Sequence, residues 1–109
     1  MNEFSLLGNS GQDYVFNIYK IHELLPDESG IYVFIKFHIS APVCIYIGQT
    51  HSFYERVYAN LNTHHAWHCI KKNKATHIGI LTVNGTEEER REVESDIITL
   101  HEYSYCNKE

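Results

Sequence analysis

Two tyrosines in this chain each have a glycine as close neighbour within a run of β-branched and aromatic residues. Tyr32 lies in Gly30-Ile31-Tyr32-Val33-Phe34, and Tyr46 in Tyr46-Ile47-Gly48-Gln49-Thr50. Residues two apart on a strand share a face. Each phenol therefore has a bare backbone position beside it, where a ligand can approach closely. A phenol with a pKa near 10 is a poor base at neutral pH unless a cation lowers that value. Further along, His64-His65-Ala66-Trp67-His68-Cys69 gathers imidazoles and a thiol, and Lys71, Lys72 and Lys74 form the densest basic run. Zinc is one reading of the histidine cluster, although structural zinc sites usually join two separate ligand pairs. Trp67 and Cys69 read as core residues. Glu94 has Ile97 and Ile98 three and four positions on, which sets its carboxylate beside an apolar helix face.

These side chains need elements to hold them. The tyrosine runs, joined by the breaker Ile39-Ser40-Ala41-Pro42-Val43, predict an antiparallel hairpin with strands near 30–38 and 43–48. Ser52-Phe53-Tyr54-Glu55 has the spacing of a capping box. It predicts a helix to about Leu61, with Phe53, Val57 and Leu61 as its buried stripe. Arg56 stands next to Val57, at the edge of that stripe; taken alone it reads as a solvated arginine with a buried stem. A short helix is predicted within 64–72, stopping at Asn73. Thr76 to Val83 predicts a strand with Ile78 and Ile80 on one face, and Asn84-Gly85 a turn. Thr86-Glu87-Glu88-Glu89 is a second capping box. It opens a helix from Glu87 to about Glu102, with Val93, Ile97 and Leu100 buried and acidic residues at its positive end. Upstream, Asp13 to Tyr19 predicts a strand with Tyr14, Phe16 and Ile18 on one face, and residues 1–12 a flexible arm. The expected class is α+β: a small antiparallel sheet carrying the central hairpin, flanked by helices, with an extra N-terminal strand. Residues 13–109 then form a single domain.

Gly30-Ile31-Tyr32 followed by Tyr46-Ile47-Gly48 on a predicted hairpin resembles the signature of the GIY-YIG nuclease superfamily, in the form of its small standalone members. The resemblance runs over about residues 26–107. It implies a divalent-metal-dependent endonuclease that hydrolyses phosphodiester bonds in nucleic acid, DNA before RNA. Tyr32 and Tyr46 would position or deprotonate the attacking water. Arg56 would clamp a phosphate and stabilise transition-state charge. His64 would relay a proton to the leaving oxygen. Asn107 would hold the site through side-chain hydrogen bonds. Glu94 would hold Mg²⁺ or Mn²⁺ together with substrate phosphate and waters. Gly48, Lys71, Lys72 and Lys74 would meet the substrate. The family pattern places the tyrosines, Arg56, His64, Glu94 and Asn107 on one concave surface of the sheet. The chain departs from the pattern twice: more residues than usual separate the two tyrosine motifs, which predicts an extended hairpin loop, and Ser104-Tyr105 stands where prolines usually precede Cys-Asn. At the level of single residues, Glu94 alternatively pairs with Arg90 four positions before it, and Asn107 belongs to a frayed end.

The totals bound these readings. At 109 residues, with 43% hydrophobic and 21% charged residues, the chain can bury one core. No apolar run is long enough to span a bilayer, and the first residues lack the basic start and apolar core of a signal peptide. Three cysteines at wide spacings predict neither a disulfide framework nor a metal knuckle, which points to a reducing cytoplasm. The net charge of −5 runs against a non-specific duplex binder. A protein partner that supplies affinity for DNA would answer that deficit. The alternative function is a nucleic-acid-binding or protein-interaction module on the same fold, with weak or no cleavage.

Overall fold

The structure, a computed structural model, describes residues 2–37, 42–100 and 106–107, without the side chain of Leu100. Residues 39–41 of the breaker, residues 101–102 of the last predicted helix and the Ser104-Tyr105 pair lie outside the described residues. Five strands form one antiparallel sheet: β1 (Glu3–Leu7), β2 (Asp13–Lys20), β3 (Gly30–Phe37), β4 (Pro42–Thr50) and β5 (His77–Thr82). The spatial order is β1-β2-β5-β3-β4, so β5 is central, β3 lies between β5 and β4, and β4 is an edge. A π-helical segment (Glu55–Ala59), a 3₁₀ turn (Leu61–Thr63) and helix α1 (Trp67–Lys72) follow β4; helix α2 (Glu87–Leu100) follows β5. The α+β class is as expected.

Burial explains why β3 reads as a continuous apolar run. Residues 30–35 are all buried, because helical elements cover both faces of the sheet there. On one face Ile31, Val33, Ile47 and Phe16 pack with Ile97 of α2. On the other, Tyr32, Phe34 and Tyr46 pack with Phe53, Val57, Leu61, Trp67 and Ile70. The stripe predicted for the first helical region, Phe53, Val57 and Leu61, packs on the sheet, as do Val93 and Ile97 of α2. β3 has about the expected extent and β4 runs two residues past its expected end; the loop expected to be extended, residues 38–41, lies outside the described residues.

Two expectations are corrected. The N-terminus is not a loose arm: Glu3–Leu7 pairs with Asp13–Asn17 as β1, and Phe4 and Leu6 are buried. The turn that joins β1 to β2 docks on α2, where Ser10 and Tyr14 donate hydrogen bonds to the Asp96 carboxylate. The cysteines are not all free: Cys69 of α1 is bonded to Cys106, and only Cys44 is free among the described residues. Spacing in sequence says nothing of this pairing, because it depends on the C-terminus returning to α1. The cysteine argument for a reducing compartment therefore lapses.

The disulfide closes a loop of 37 residues, and in the chain-entropy account such a closure stabilises by about 4 kcal/mol. Cys106→Ser is expected to lower the unfolding free energy in urea by about that amount, and reductant to do the same to the parent. A parent whose unfolding midpoint ignores reductant would contradict the pairing.

Candidate active site

The register of the hairpin sets Tyr32 opposite Gly48 and Phe34 opposite Tyr46. A Cβ at Gly48 would fall 2.5 Å from the Tyr32 hydroxyl. Gly48 is therefore not a gap left for substrate, as the sequence suggested: the Tyr32 ring fills it. Gly30 is likewise covered, by Phe53 and the Leu81 carbonyl. The glycines seat side chains of the fold itself.

Two phenols and two imidazoles form the centre of the cluster. The Tyr32 and Tyr46 rings lie 6.0 Å apart and 27° from parallel. His64 and His65 stack at 4.7 Å and 15°. Each imidazole serves one phenol: His64 Nε2 is 2.6 Å from the Tyr32 hydroxyl, and His65 Nε2 is 3.1 Å from that of Tyr46. The other ring nitrogens decide the tautomers. His64 Nδ1 accepts the Ala66 N–H at 3.0 Å, and His65 Nδ1 accepts from Arg56 Nη2 at 2.9 Å. A neutral imidazole has one N–H, so both carry it on Nε2 and both donate to the phenol oxygens. The Tyr46 oxygen thus accepts from His65, and its own O–H is left for a further group.

Burial sets the charge states. It pushes the Tyr32 hydroxyl far above the usual phenol value, with Tyr46 adding to the rise and Arg56 opposing it. Tyr46 is raised by burial and then by the Glu94 charge, while Tyr32 and Arg56 pull it down. Burial, then the charges of Arg56 and His65, take His64 from the usual 6.5 down to about 3. His64 is therefore neutral near pH 7 and stands behind Tyr32 as a hydrogen-bond donor. The unfolded chain takes up this proton near pH 6.5 and the folded chain refuses it until about pH 3. The stability that His64 contributes is thus complete above pH 6.5 and falls as pH drops toward 3. In urea titrations between pH 7 and 5, before most carboxylates titrate, the parent is expected to lose stability and His64→Gln to lose less. Equal pH slopes would contradict the buried neutral imidazole.

Arg56 reaches this cluster from the π-helical segment. Ser52 Oγ accepts the Glu55 N–H at 3.1 Å, as the capping box predicted. The Glu55 side chain does not reach back; it pairs with His51 at 2.9 Å. The Asn60 N–H then bonds the Glu55 carbonyl five residues earlier, at 3.1 Å, in place of the expected α-helical pattern.

Glu94 arrives from α2, on the opposite face. It is half-buried, and burial raises its pKa, with Arg91 and the Gln49 backbone opposing. The pair with Arg90 does not form. Arg90 turns to the sheet, donating through Nε to Gln49 Oε1 and through Nη1 to the Gly85 carbonyl, each at 3.0 Å. Arg56 and Glu94 thus belong to elements on opposite faces, and the expectation of one concave face is corrected. They meet only around the β4 edge, where both charges act on Tyr46.

Asn107 braces that edge. A bulge between β3 and β4 leaves Ile45 out of register, and its carbonyl accepts the Cys106 N–H at 2.8 Å. The Asn107 amide then takes the Ile47 N–H and gives to the Ile47 carbonyl, both at 2.8 Å. It is not a frayed end; its side chain extends the sheet by one bridge.

Lys71, Lys72 and Lys74 stand elsewhere. The turn after α1 meets the far end of β3, where the Thr76 N–H bonds the Ile35 carbonyl. Lys71 Nζ sits 5.8 Å over the Trp67 ring. None of the three lines the cavity beside Arg56. That cavity, about 860 Å³, opens at the Thr50 end of β4 between Arg56, Asn60 and Thr63 on one side and Arg90 on the other. Sequence reasoning missed His65 and Arg90 as site residues. Adjacent histidines were the only signal for the first. Nothing marked the second, because its burial comes from the packing of α2 on β4.

The residues suit a divalent cation at Glu94. Its carboxylate is half-buried, and no lysine or arginine bridges it among the described residues. No three ligating side chains gather among the described residues, so such a cation would rest on one carboxylate, waters and substrate oxygens, the manner of Mg²⁺. The zinc reading of the histidine cluster fails: Cys69 is in a disulfide and the four ring nitrogens of His64 and His65 are engaged. Among the described residues no helix is long and apolar enough to cross a membrane. No family model matches the chain, and neither a curated protein nor a solved structure matches it.

Proposed function

We propose that the protein is a divalent-metal-dependent phosphodiesterase acting on nucleic acid, DNA before RNA, of the GIY-YIG kind. One observation carries the reading: a phenol whose oxygen accepts from an imidazole lies within the fields of a guanidinium and a half-buried carboxylate, at an open sheet edge. Glu94 would hold Mg²⁺ or Mn²⁺, whose charge offsets that of the phosphate and polarises the P–O bond. Tyr46 orients the attacking water and, once ionised, takes its proton. The hydroxide oxygen bonds to phosphorus, the P–O bond to the leaving oxygen breaks, and that oxygen takes a proton from solvent. Arg56 stabilises the charge that builds on the phosphoryl oxygens. Tyr32, His64, His65 and Asn107 orient Tyr46 and β4. A cytoplasmic location goes with this reading.

The acidity of the chain favours a second reading. With a net charge of −5 and its lysine run away from the cavity, the fold suits an interaction module that meets nucleic acid weakly. A partner protein would then supply the grip on DNA. Incubation with supercoiled plasmid and with single-stranded DNA, each with Mg²⁺, Mn²⁺ or chelator, separates the two. Metal-dependent nicking is expected; none with any metal would move the module ahead.

A further inference from the structure

Arg90 is 7% exposed, yet no carboxylate bridges it among the described residues. Two of its nitrogens are spent on neutral groups, the Gln49 amide oxygen and the Gly85 carbonyl. These contacts fix the guanidinium plane at the wall of the cavity without neutralising it. A buried cation left this way costs stability unless an anion completes it. Arg56 lines the same cavity, together with Thr50, Asn60 and Thr63. The carboxylates at the rim are already engaged: Glu87 pairs with Arg91 at 3.0 Å and Glu55 with His51 at 2.9 Å. A planar, fixed, uncompensated guanidinium in the same cavity as a second one suits a tetrahedral oxyanion with several acceptor oxygens.

We propose that Arg90, in the same cavity as Arg56, forms a subsite for a backbone phosphate of the substrate, a phosphate neighbouring the cleaved one that Arg56 meets. The phosphodiesterase reading supplies the identity of the ligand; the anion site itself rests on Arg90. The site gives an acidic chain a local grip on a polyanion that its lysines do not provide. Arg90 touches a non-reacting phosphate, so its effect belongs to binding.

The test uses the full chain in chelator, so that binding is read without cleavage. The probes are a 5′-phosphorylated thymidine dinucleotide and its unphosphorylated twin, followed by NMR of the arginine Nε–H resonances. The phosphorylated probe is expected to shift the Arg90 Nε–H with saturation, and the twin to bind at least roughly tenfold more weakly. Binding of a single-stranded oligonucleotide across a salt series is the second measurement. Arg90→Gln is expected to flatten the slope of log affinity against log salt by about 0.7, and Arg90→Lys to keep the slope. An Arg90 resonance that does not move, or an unchanged slope in a folded Arg90→Gln, overturns the subsite. Should Arg90→Gln fail to fold, the resonance shift in the parent decides alone. A parent that binds through Arg90 but nicks no plasmid keeps the subsite and sinks the nuclease. A parent that nicks plasmid while Arg90→Gln keeps its KM sinks the subsite only.

Discussion

Tyr46→Phe is expected to lower kcat for phosphodiester cleavage by about 10²–10⁴-fold, the usual worth of a positioned acid–base group, while Tyr32→Phe costs far less. The two phenols are equivalent in sequence, each beside a glycine, but not in their hydrogen bonds. The Tyr32 oxygen receives His64 Nε2–H, and its ring is buried and closed in over Gly48. Nothing outside the protein can reach it without displacing one of these. Tyr46 accepts from His65 and keeps its own O–H for a water or a substrate oxygen. Removing the Tyr32 hydroxyl takes away the partner of His64; removing the Tyr46 hydroxyl takes away the group that meets the water. Steady-state kinetics of both variants, with matched melting temperatures, check the ranking. Equal losses, or a greater loss from Tyr32→Phe, would reverse the assigned roles.

The parts of the site that were legible in sequence are those set by local chemistry. The capping boxes at Ser52 and Thr86 announce helix starts because a side-chain oxygen must meet an orphan N–H three residues on, and both do so here. Phe53, Val57 and Leu61 announce a buried face by their period, and all three are buried. The antiparallel hairpin follows from its two apolar runs. What sequence hides is set by distant partners. Glu3–Leu7 reads as a polar arm because its outward residues are exposed, and only pairing with β2 reveals Phe4 and Leu6 as core. Gly48 reads as an opening because its filler, Tyr32, is sixteen residues away across the hairpin. Arg90 reads as a helix-surface cation because nothing local says that α2 lays that position on Gln49. The Cys69–Cys106 bond depends on the chain end crossing to α1, past the bulge at Ile45.

Glu94→Ala has the largest effect in prospect. The carboxylate is half-buried beside Tyr46 and raises its pKa, so a cation on Glu94 would also remove the repulsion that opposes ionising the phenol. Loss of the ligand removes both contributions. The helix itself should tolerate the change, because Ile97 stays buried, Val93 and Ile98 still pack on the sheet, and alanine is a good helix former. Glu88, exposed in the first turn of α2, is the control. The measurement is plasmid nicking by the parent, Glu94→Ala and Glu88→Ala, with Mg²⁺ or Mn²⁺ and with chelator, after their melting temperatures are shown to agree. Nicking that needs the metal, survives in Glu88→Ala and falls below detection in Glu94→Ala is the expected result. Nicking by Glu94→Ala at the parent's rate would contradict the metal assignment, and a parent silent with every metal and substrate form would contradict the phosphodiesterase itself.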